Sequence, residues 1–169
     1  VVVRSTGSWY NVKRDDGSVI PCRLRGKFRV KGIKTTNPVA VGDFVFFEYD
    51  EENKSGLISE IGERDNYIIR KATRLSKRSH IIAVNINQLV VIATINHPRT
   101  STGFIDRVLV TAEAYHIPAA IVFNKSDLYD DAEMEVLNRL VGLYKSLGYQ
   151  CLSTSAKKAI GTGAFSALL

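Results

Sequence analysis

The sequence has few cysteines and lacks a long apolar run, and these absences exclude several classes of protein. The two cysteines, Cys22 and Cys151, are isolated and lack metal-ligand spacing. Two cysteines are too few for a disulfide framework, and this scarcity favours a location in the reducing cytoplasm. No run approaches the roughly 20 apolar residues of a membrane span, and no charged-then-apolar leader opens the chain, so we expect no membrane partner. Because the chain starts at Val1 and its single methionine is Met134, we expect it to be a piece of a longer protein.

Positive charge is concentrated in one half of the chain. The 169 residues carry a formal net charge of +6, and all of it falls within residues 1–80, whereas residues 81–169 are balanced. With 45% hydrophobic and 24% charged residues, the composition is that of an ordinary globular protein. This length fits one large domain or two small ones. The uneven charge favours two domains, the first with a polyanionic partner.

The first half consists of short strand patterns separated by turns. Strand patterns occur at residues 8–12, 19–31, 44–49 and 56–61. Asp15-Asp16-Gly17-Ser18 has the chemistry of a hairpin turn. Short strands without a helical period predict a small β-barrel over residues 1–66. The oligonucleotide-binding (OB) fold is the first interpretation, and an SH3-like barrel is the alternative. The polar, basic stretch at residues 67–80 is predicted to be a linker.

Residues 81–169 alternate between buried-strand and helix patterns. Continuous apolar runs at residues 88–95 and 118–123 indicate strands that are buried on both faces. Residues 104–116 and 132–147 have helical spacing, and a further strand pattern follows at residues 150–154. Strands and helices that alternate in this way predict a parallel α/β sheet.

Four polar residues, Asn124, Lys125, Ser126 and Asp127, directly follow the second of these apolar runs. Open α/β sheets bind ligands at the carboxyl ends of their strands. The Asp127 carboxylate can accept hydrogen bonds from the ring N–H and the exocyclic amino group of guanine, two donors that adenine lacks on that edge. The Asn124 amide can tie the loop and approach another polar edge of the base, and the Lys125 stem can lie over the purine ring. This pattern predicts a guanine-binding loop.

A second short motif, Ser155-Ala156-Lys157, follows the last predicted strand. A peptide N–H in this loop can donate to the keto oxygen of guanine, where adenine would present a donor instead. Because both loops follow strands of one predicted sheet, we expect them at the same edge. Ser-Ala-Lys alone is a weak signal, but the two motifs in this order predict that the chain belongs to a GTP-binding protein.

The sequence lacks the motifs that hold phosphate groups and Mg²⁺. Gly-x-x-x-x-Gly-Lys-[Ser/Thr] does not occur, and the one Gly-Lys pair, Gly26-Lys27, has Pro21 in the first glycine position. Asp-x-x-Gly is absent as well. Either the chain binds nucleotide without catalysis, or the missing parts follow in a permuted order. After Lys157, Gly161-Thr162-Gly163 indicates a loop before a short apolar helix rather than a phosphate loop.

Four longer segments carry a resemblance to a known family. They are Cys22 to Arg29, Asn37 to Asp43, Phe104 to Leu109 and Val122 to Leu128. Together with the guanine motifs, they resemble the ribosome small-subunit-dependent GTPase A family (RsgA, also called YjeQ) over residues 1–157. This resemblance implies an N-terminal OB-fold barrel, followed at residues 81–169 by the guanine-recognition half of a circularly permuted GTPase domain.

The resemblance also implies a function. Family members hydrolyse GTP when the small ribosomal subunit stimulates them, and they act late in the maturation of that subunit. It implies rRNA as a partner, GTP and Mg²⁺ for the full-length protein, and Zn²⁺ in a C-terminal domain that this chain lacks. We expect a cytoplasmic monomer, and we expect this chain to be inactive alone. The alternative is a non-catalytic RNA-binding module with an inactive α/β half that is similar to a nucleotide-binding domain.

Five cations alternate with other residues along one predicted strand. They are Arg23, Arg25, Lys27, Arg29 and Lys31. The alternation puts them on one face, and because no acid lies between Cys22 and Lys34, we expect them to be unpaired. This face favours binding to RNA phosphates. A cationic edge strand that resists aggregation is the alternative. Trp9, Tyr10 and Phe28 could stack on bases, although packing in the core is the commoner fate of each.

No catalytic residue and no metal ligand are assigned from the sequence. His80, His97 and His116 are scattered and form no metal-binding pattern. Asp106-Arg107, at a predicted helix start, is interpreted as a cap and a surface ion pair.

Overall fold

The computed structural model of the chain describes residues 1–25, 38–71 and 79–169, with residues 70, 71, 79 and 80 described by their backbone alone. The chain divides into two compact units, which we call the barrel unit (Val1–Ile86) and the α/β unit (Asn87–Leu169). Among the described residues, no helix is both long enough and apolar enough to cross a membrane.

The barrel unit contains seven described strands. They are β1 (Val2–Thr6), β2 (Trp9–Lys13), β3 (Val19–Leu24), β4 (Val45–Asp50), β5 (Ser55–Ile61), β6 (Tyr67–Lys71) and β7 (Ser79–Val84). The first five form one sheet in the order β1-β2-β3-β5-β4. Strands β3 and β5 are parallel, and the other pairs are antiparallel. This connectivity is that of a five-stranded Greek-key barrel of the OB type.

Alternation along the strands builds the core of the barrel. Tyr10, Val12, Cys22 and Ile58 are buried, whereas their neighbours along the strands are more exposed. The two edges of the sheet meet where the Val2 N–H donates to the Asp43 carbonyl at 2.8 Å. The sheet therefore curves until β1 lies beside the start of β4, as closure of a barrel requires.

A buried ion pair fastens the segment that precedes β4. The Arg64 guanidinium donates to both carboxylate oxygens of Asp43 at 2.7 Å and to the Pro38 carbonyl at 2.8 Å. The Asp43 side chain is fully buried, and it also accepts from the Ala40 N–H at 2.7 Å. Burial of two charges is tolerated when each carries this many hydrogen bonds.

The α/β unit has a three-stranded parallel sheet in the order β10-β9-β8. Its elements are β8 (Leu89–Ala93), α1 (Thr102–Ala114), β9 (Ala119–Phe123), a 3-10 helix (Ser126–Leu128), α2 (Asp131–Ser146), β10 (Gln150–Ser153) and α3 (Thr162–Leu168). Apolar residues of the sheet, α1 and α2 form one core, which includes Ile105, Ile121 and Leu137. Asp130 and Glu133 begin α2 with a capping box.

The predicted fold class is confirmed, but the boundary between the units differs from the prediction. Strand β1 was not expected. The stretch at 67–80, expected as a linker, contains β6 and the start of β7, which pair as an antiparallel hairpin. The hairpin belongs to the barrel unit, so that unit ends at Ile86. The basic composition of residues 67–80 indicated a linker, although β6 and β7 pair with each other there.

We predict that Asp43→Asn lowers the free energy of unfolding of the barrel unit by about 3–5 kcal/mol, because it leaves the buried Arg64 charge without its ionic partner. Urea denaturation followed by the fluorescence of Trp9, the single tryptophan, measures this. Glu48→Gln is the matched control. It removes the exposed ion pair with Arg25, which should change stability by less than about 1 kcal/mol. Equally small effects of both substitutions would contradict the role of the buried pair.

Candidate functional site

Two loops lie side by side at the carboxyl edge of the parallel sheet. Strands β9 and β10 are hydrogen-bonded neighbours, with Phe123 opposite Ser153. Asn124 and Thr154 therefore leave the sheet next to each other. Residues 124–127 form the first loop and residues 154–158 the second. The sheet thus brings together two motifs that are far apart in the sequence.

Asn124 and the peptide groups around it join the two loops. The Asn124 Oδ1 accepts from the Thr154 hydroxyl at 3.2 Å and from the Ala156 N–H at 3.1 Å. The Ser126 N–H donates to the Thr154 carbonyl at 3.0 Å. While the oxygen is engaged in this way, the two N–H donors of the Asn124 side chain have no hydrogen-bond partner within the described residues.

Asp127 is held from the second loop by Ser155. The fully buried Ser155 hydroxyl donates to an Asp127 carboxylate oxygen and accepts from the Lys158 N–H at 3.1 Å. This bond is the main reason that the pKa of Asp127 lies below its ordinary value, and nearby Lys157 and Lys158 act in the same direction. The carboxylate is therefore ionised and oriented, with acceptor capacity left for a ligand.

All of the predicted guanine-site residues except the buried Ser155 line an open cleft of about 260 Å³. Its walls are Asn124, Lys125, Asp127, Leu128, Ala156 and Lys157. Lys125 has a left-handed backbone conformation, with φ of 67°, and its ammonium group donates to the His97 carbonyl at 2.5 Å. Lys125 thus lines the cleft while its ammonium group is held by the His97 carbonyl. The cleft combines an acceptor carboxylate, amide donors and an apolar wall, a set that suits a flat polar base.

Within the second loop, the peptide N–H groups are not equally available. The Ser155 N–H donates to the Ile160 carbonyl at 2.9 Å, and the Ala156 N–H donates to Asn124. The Lys157 N–H has no hydrogen-bond partner among the residues that the structure describes. It is the donor that the loop leaves free for a ligand.

The tail after the second loop closes a tight turn. Ser155 and Ile160 form an antiparallel bridge, and Gly161 follows with φ of 70°. A Cβ at position 161 would lie 2.5 Å from the Ser153 carbonyl oxygen, so this turn requires glycine. Helix α3 begins at Thr162. The geometry is that of a loop before a short helix, as the sequence indicates.

Sequence reasoning did not identify Tyr129 or the loop after β8. The Tyr129 hydroxyl donates to the Asn124 carbonyl at 2.5 Å and accepts from the Ile95 N–H at 3.0 Å. These residues are distant in the chain or carry no motif. Only the packing of β8 beside β9 reveals that they meet.

The basic strand is described in part. Arg23 lies in β3 with its guanidinium carbon 3.8 Å from the centre of the Trp9 ring, and Arg25 follows β3. The expectation that the cations are unpaired is wrong for Arg25, which meets Glu48 at 3.3 Å. The acid comes from β4, so the sequence around Arg25 does not reveal it. Lys27, Arg29 and Lys31 lie outside the described residues.

The interpretation of Asp106 as a helix cap with a surface ion pair is wrong. Ser101 caps α1, and Asp106 accepts from the hydroxyl of the buried Tyr144 at 2.8 Å. Asp106 therefore fastens α1 to α2. Across the described parts of the chain, no group of three or more His, Cys, Asp or Glu side chains could hold a metal ion.

Two family models match this chain. One, described as RsgA GTPase, matches residues 61–169, and the other, described as RsgA N-terminal domain, matches residues 1–58. The family resemblance predicted from the motifs is confirmed. The first match extends through the tail, which the motifs alone did not assign.

Curated relatives and solved structures agree with these models. The chain is 56% identical to small ribosomal subunit biogenesis GTPase RsgA of Christiangramia forsetii, over 92% of this chain and 50% of the relative. It is 50% identical to small ribosomal subunit biogenesis GTPase RsgA 2 of Bacteroides thetaiotaomicron, over 97% of this chain and 53% of the relative. It thus spans about half the length of these relatives.

Two crystal structures have a similar fold. YjeQ from Thermotoga maritima has a TM-score of 0.75 and 32% identity, over 100% of this chain and 55% of that one. YloQ, described as a circularly permuted GTPase, has a TM-score of 0.64 and 31% identity, over 92% of this chain and 50% of that one.

We predict that Ser155→Ala raises the pKa of Asp127 toward its ordinary value, because the substitution removes the hydrogen bond that most stabilises the carboxylate. Titration of the side-chain carboxyl ¹³C resonance measures this pKa. Ser126→Ala is the control, because the Ser126 hydroxyl makes no hydrogen bond among the described residues and its loss should leave the pKa unchanged. Equal pKa values in all three proteins would contradict the assigned contact.

Proposed function

Because the chain belongs to the RsgA GTPase family, we propose that it forms the rRNA-binding and guanine-recognising part of a GTPase. The full-length protein binds the small ribosomal subunit, assists its late maturation and hydrolyses GTP when the subunit stimulates it. The observation that carries this proposal is the pair of adjacent loops in which Ser155 orients Asp127 and Asn124 bonds to Ala156. The names of the relatives, which describe small-subunit biogenesis GTPases, support it.

Guanine is recognised through its hydrogen-bonding edge. The Asp127 carboxylate accepts from the ring N–H and the exocyclic amino group, and the free amide donors of Asn124 face another polar edge of the base. A peptide N–H of the loop at Ser155, Ala156 and Lys157 donates to the keto oxygen. Lys157 supplies the N–H that lacks a partner among the described residues. The Lys125 stem covers one ring face.

Charged hydrogen bonds give this site its selectivity. Each bond to the Asp127 carboxylate contributes roughly 1.5–3 kcal/mol. Two such bonds correspond to a preference of about two to four orders of magnitude over a base that lacks both donors. The low pKa of Asp127 keeps the carboxylate ionised, and so selective, well below neutral pH.

Catalysis belongs to parts of the protein outside this chain. The residues described here suit a base and supply no cluster for a metal ion. We infer that the phosphate loop, Mg²⁺ binding and the catalytic residue lie in the other half of the full-length protein, together with the Zn²⁺-binding domain. GTP and Mg²⁺ are the cofactors of that protein, and this chain alone is inactive.

The barrel unit supplies the contact with rRNA. Arg23 and Arg25 are exposed on the outer face of the barrel, and we assign RNA phosphates to this surface. The sequence predicts the same role for Lys27, Arg29 and Lys31, which lie outside the described residues. Contacts between cations and phosphates read the shape of the backbone rather than its sequence. The protein acts in the cytoplasm as a monomer, in which the barrel unit binds rRNA and the α/β unit recognises guanine.

We predict that Asp127→Asn in the full-length protein weakens GDP binding by about a hundredfold and strengthens binding of the xanthine nucleotide. The new amide donates where the carboxylate accepted, and xanthine presents an extra keto oxygen at that position. Titration calorimetry with both nucleotides measures the change. Asp130→Asn is the control, because asparagine also caps helices well. Unchanged GDP affinity in Asp127→Asn would overturn the guanine assignment.

We predict that replacing Arg23 and Arg25 with glutamine flattens the salt dependence of binding to the small ribosomal subunit. Each lost phosphate contact reduces the slope of log K against log salt by about one. Binding measured from low to high salt tests this. The control replaces Arg139 and Lys145, two exposed cations of α2, and changes the net charge equally. The same slope in both double variants would contradict a specific RNA face.

A further inference from the structure

The Tyr129 hydroxyl lies between the first guanine loop and the loop that follows β8. It donates to the Asn124 carbonyl at 2.5 Å and accepts from the Ile95 N–H at 3.0 Å. One oxygen atom thus satisfies two backbone groups on neighbouring strand ends. A phenol is suited to this position because it both donates and accepts.

The ring of Tyr129 is fixed from its other side. It is half-buried and packs against the apolar core of the α/β unit. Burial is the main reason that the pKa of Tyr129 is raised, so the hydroxyl stays protonated and able to donate at neutral pH. Tyr129 also follows the 3-10 helix directly. The hydroxyl therefore has little freedom to leave its two partners.

The loop after β8 reaches the guanine loop at a second point. The His97 carbonyl accepts from the Lys125 ammonium group, and the Asn96 side chain donates to Glu133 at 2.8 Å. Glu133 belongs to the capping box of α2. This loop is thus held to the start of α2 while it contacts the backbone of Asn124, through Tyr129, and the side chain of Lys125.

We propose that Tyr129 is a positioning residue for guanine recognition, which acts by holding the Asn124 peptide against Ile95. This contact fixes the start of the first loop (residues 124–127), which contains Asn124, Lys125 and Asp127. The loop after β8 becomes a third element of the site, beside the two loops that carry the motifs. The inference rests on the proposed function, because it assumes that these loops bind guanine.

Loss of the hydroxyl has a specific consequence. A phenylalanine would fill the same volume and keep the ring in the core. It would leave the Asn124 carbonyl and the Ile95 N–H, which are partly buried, without their partner. Partly buried polar groups shift to recover lost hydrogen bonds. A shift of Asn124 displaces Asp127 within the same short loop. We expect the pair of hydrogen bonds from guanine to the two Asp127 carboxylate oxygens to weaken most.

The test is Tyr129→Phe in the full-length protein, with GDP and IDP as probes. IDP lacks the exocyclic amino group and makes one hydrogen bond fewer to Asp127. We expect GDP binding to weaken about tenfold and the preference for GDP over IDP to shrink at least about threefold. A purely structural role would lower thermal stability without changing this preference. An unchanged preference for GDP over IDP would overturn the inference.

Tyr144→Phe is the matched control. It makes the same substitution at a buried tyrosine of the same core, whose hydroxyl bonds to Asp106 near the opposite end of α2. We expect it to lower stability and to leave the preference for GDP over IDP as it is. An equal loss of preference in both variants would overturn the inference, because it would indicate a general effect of core damage.

Two further measurements separate the possible failures. If Asp127→Asn leaves GDP affinity unchanged, the guanine assignment fails and this inference fails with it. If Asp127→Asn weakens GDP binding and Tyr129→Phe does not, only the role of Tyr129 is wrong. Hydrogen exchange of the unmodified full-length protein tests the link between Ile95 and guanine binding without a variant. GDP should slow exchange of the Ile95 N–H, and no change on GDP binding would contradict the link.

Discussion

Parallel pairing of β9 with β8 and β10 is the constraint on which the candidate site depends. Parallel neighbours end at the same edge of a sheet, so the loops that follow β8, β9 and β10 meet there. Asn124 turns this proximity into a fixed arrangement, because its side chain bonds to the second loop and its carbonyl bonds to Tyr129. The position of Asp127 thus follows from backbone pairing together with a few side-chain bonds.

The two units handle charge in different ways. In the barrel unit, Asp43 and Arg64 are buried together and fully hydrogen-bonded, while Arg23 and Arg25 remain at the surface. In the α/β unit, Asp127 lies at an open cleft, where Ser155 and nearby lysines stabilise its ionised form. The buried pair therefore stabilises the barrel, whereas the proposed binding residues lie at the surface, where Arg25 pairs with Glu48 and Arg23 lies over Trp9. The proposed division between RNA and guanine recognition follows this difference.

Local patterns in the sequence predicted most of the fold and the motif residues of the cleft. Buried parallel strands give continuous apolar runs, and Asn124 and Asp127 directly follow one of them. The missed features depend on contacts between distant segments. Tyr129 is hydrogen-bonded to Ile95, Arg25 forms an ion pair with Glu48, and Asp106 is hydrogen-bonded to Tyr144. The two residues of each pair are distant in the sequence, so no local pattern predicts their contact. The hairpin of β6 and β7 was missed because its basic residues obscured the strand pattern.

A crystal structure of the full-length protein with GDP is the most direct test of guanine recognition by Asp127. We expect the ring N–H and the exocyclic amino group of guanine to lie within hydrogen-bonding distance of the Asp127 carboxylate. We also expect the Lys125 stem to cover one face of the ring. Guanine bound at another place, or bound with its edge turned away from Asp127, would show that these loops do not recognise the base.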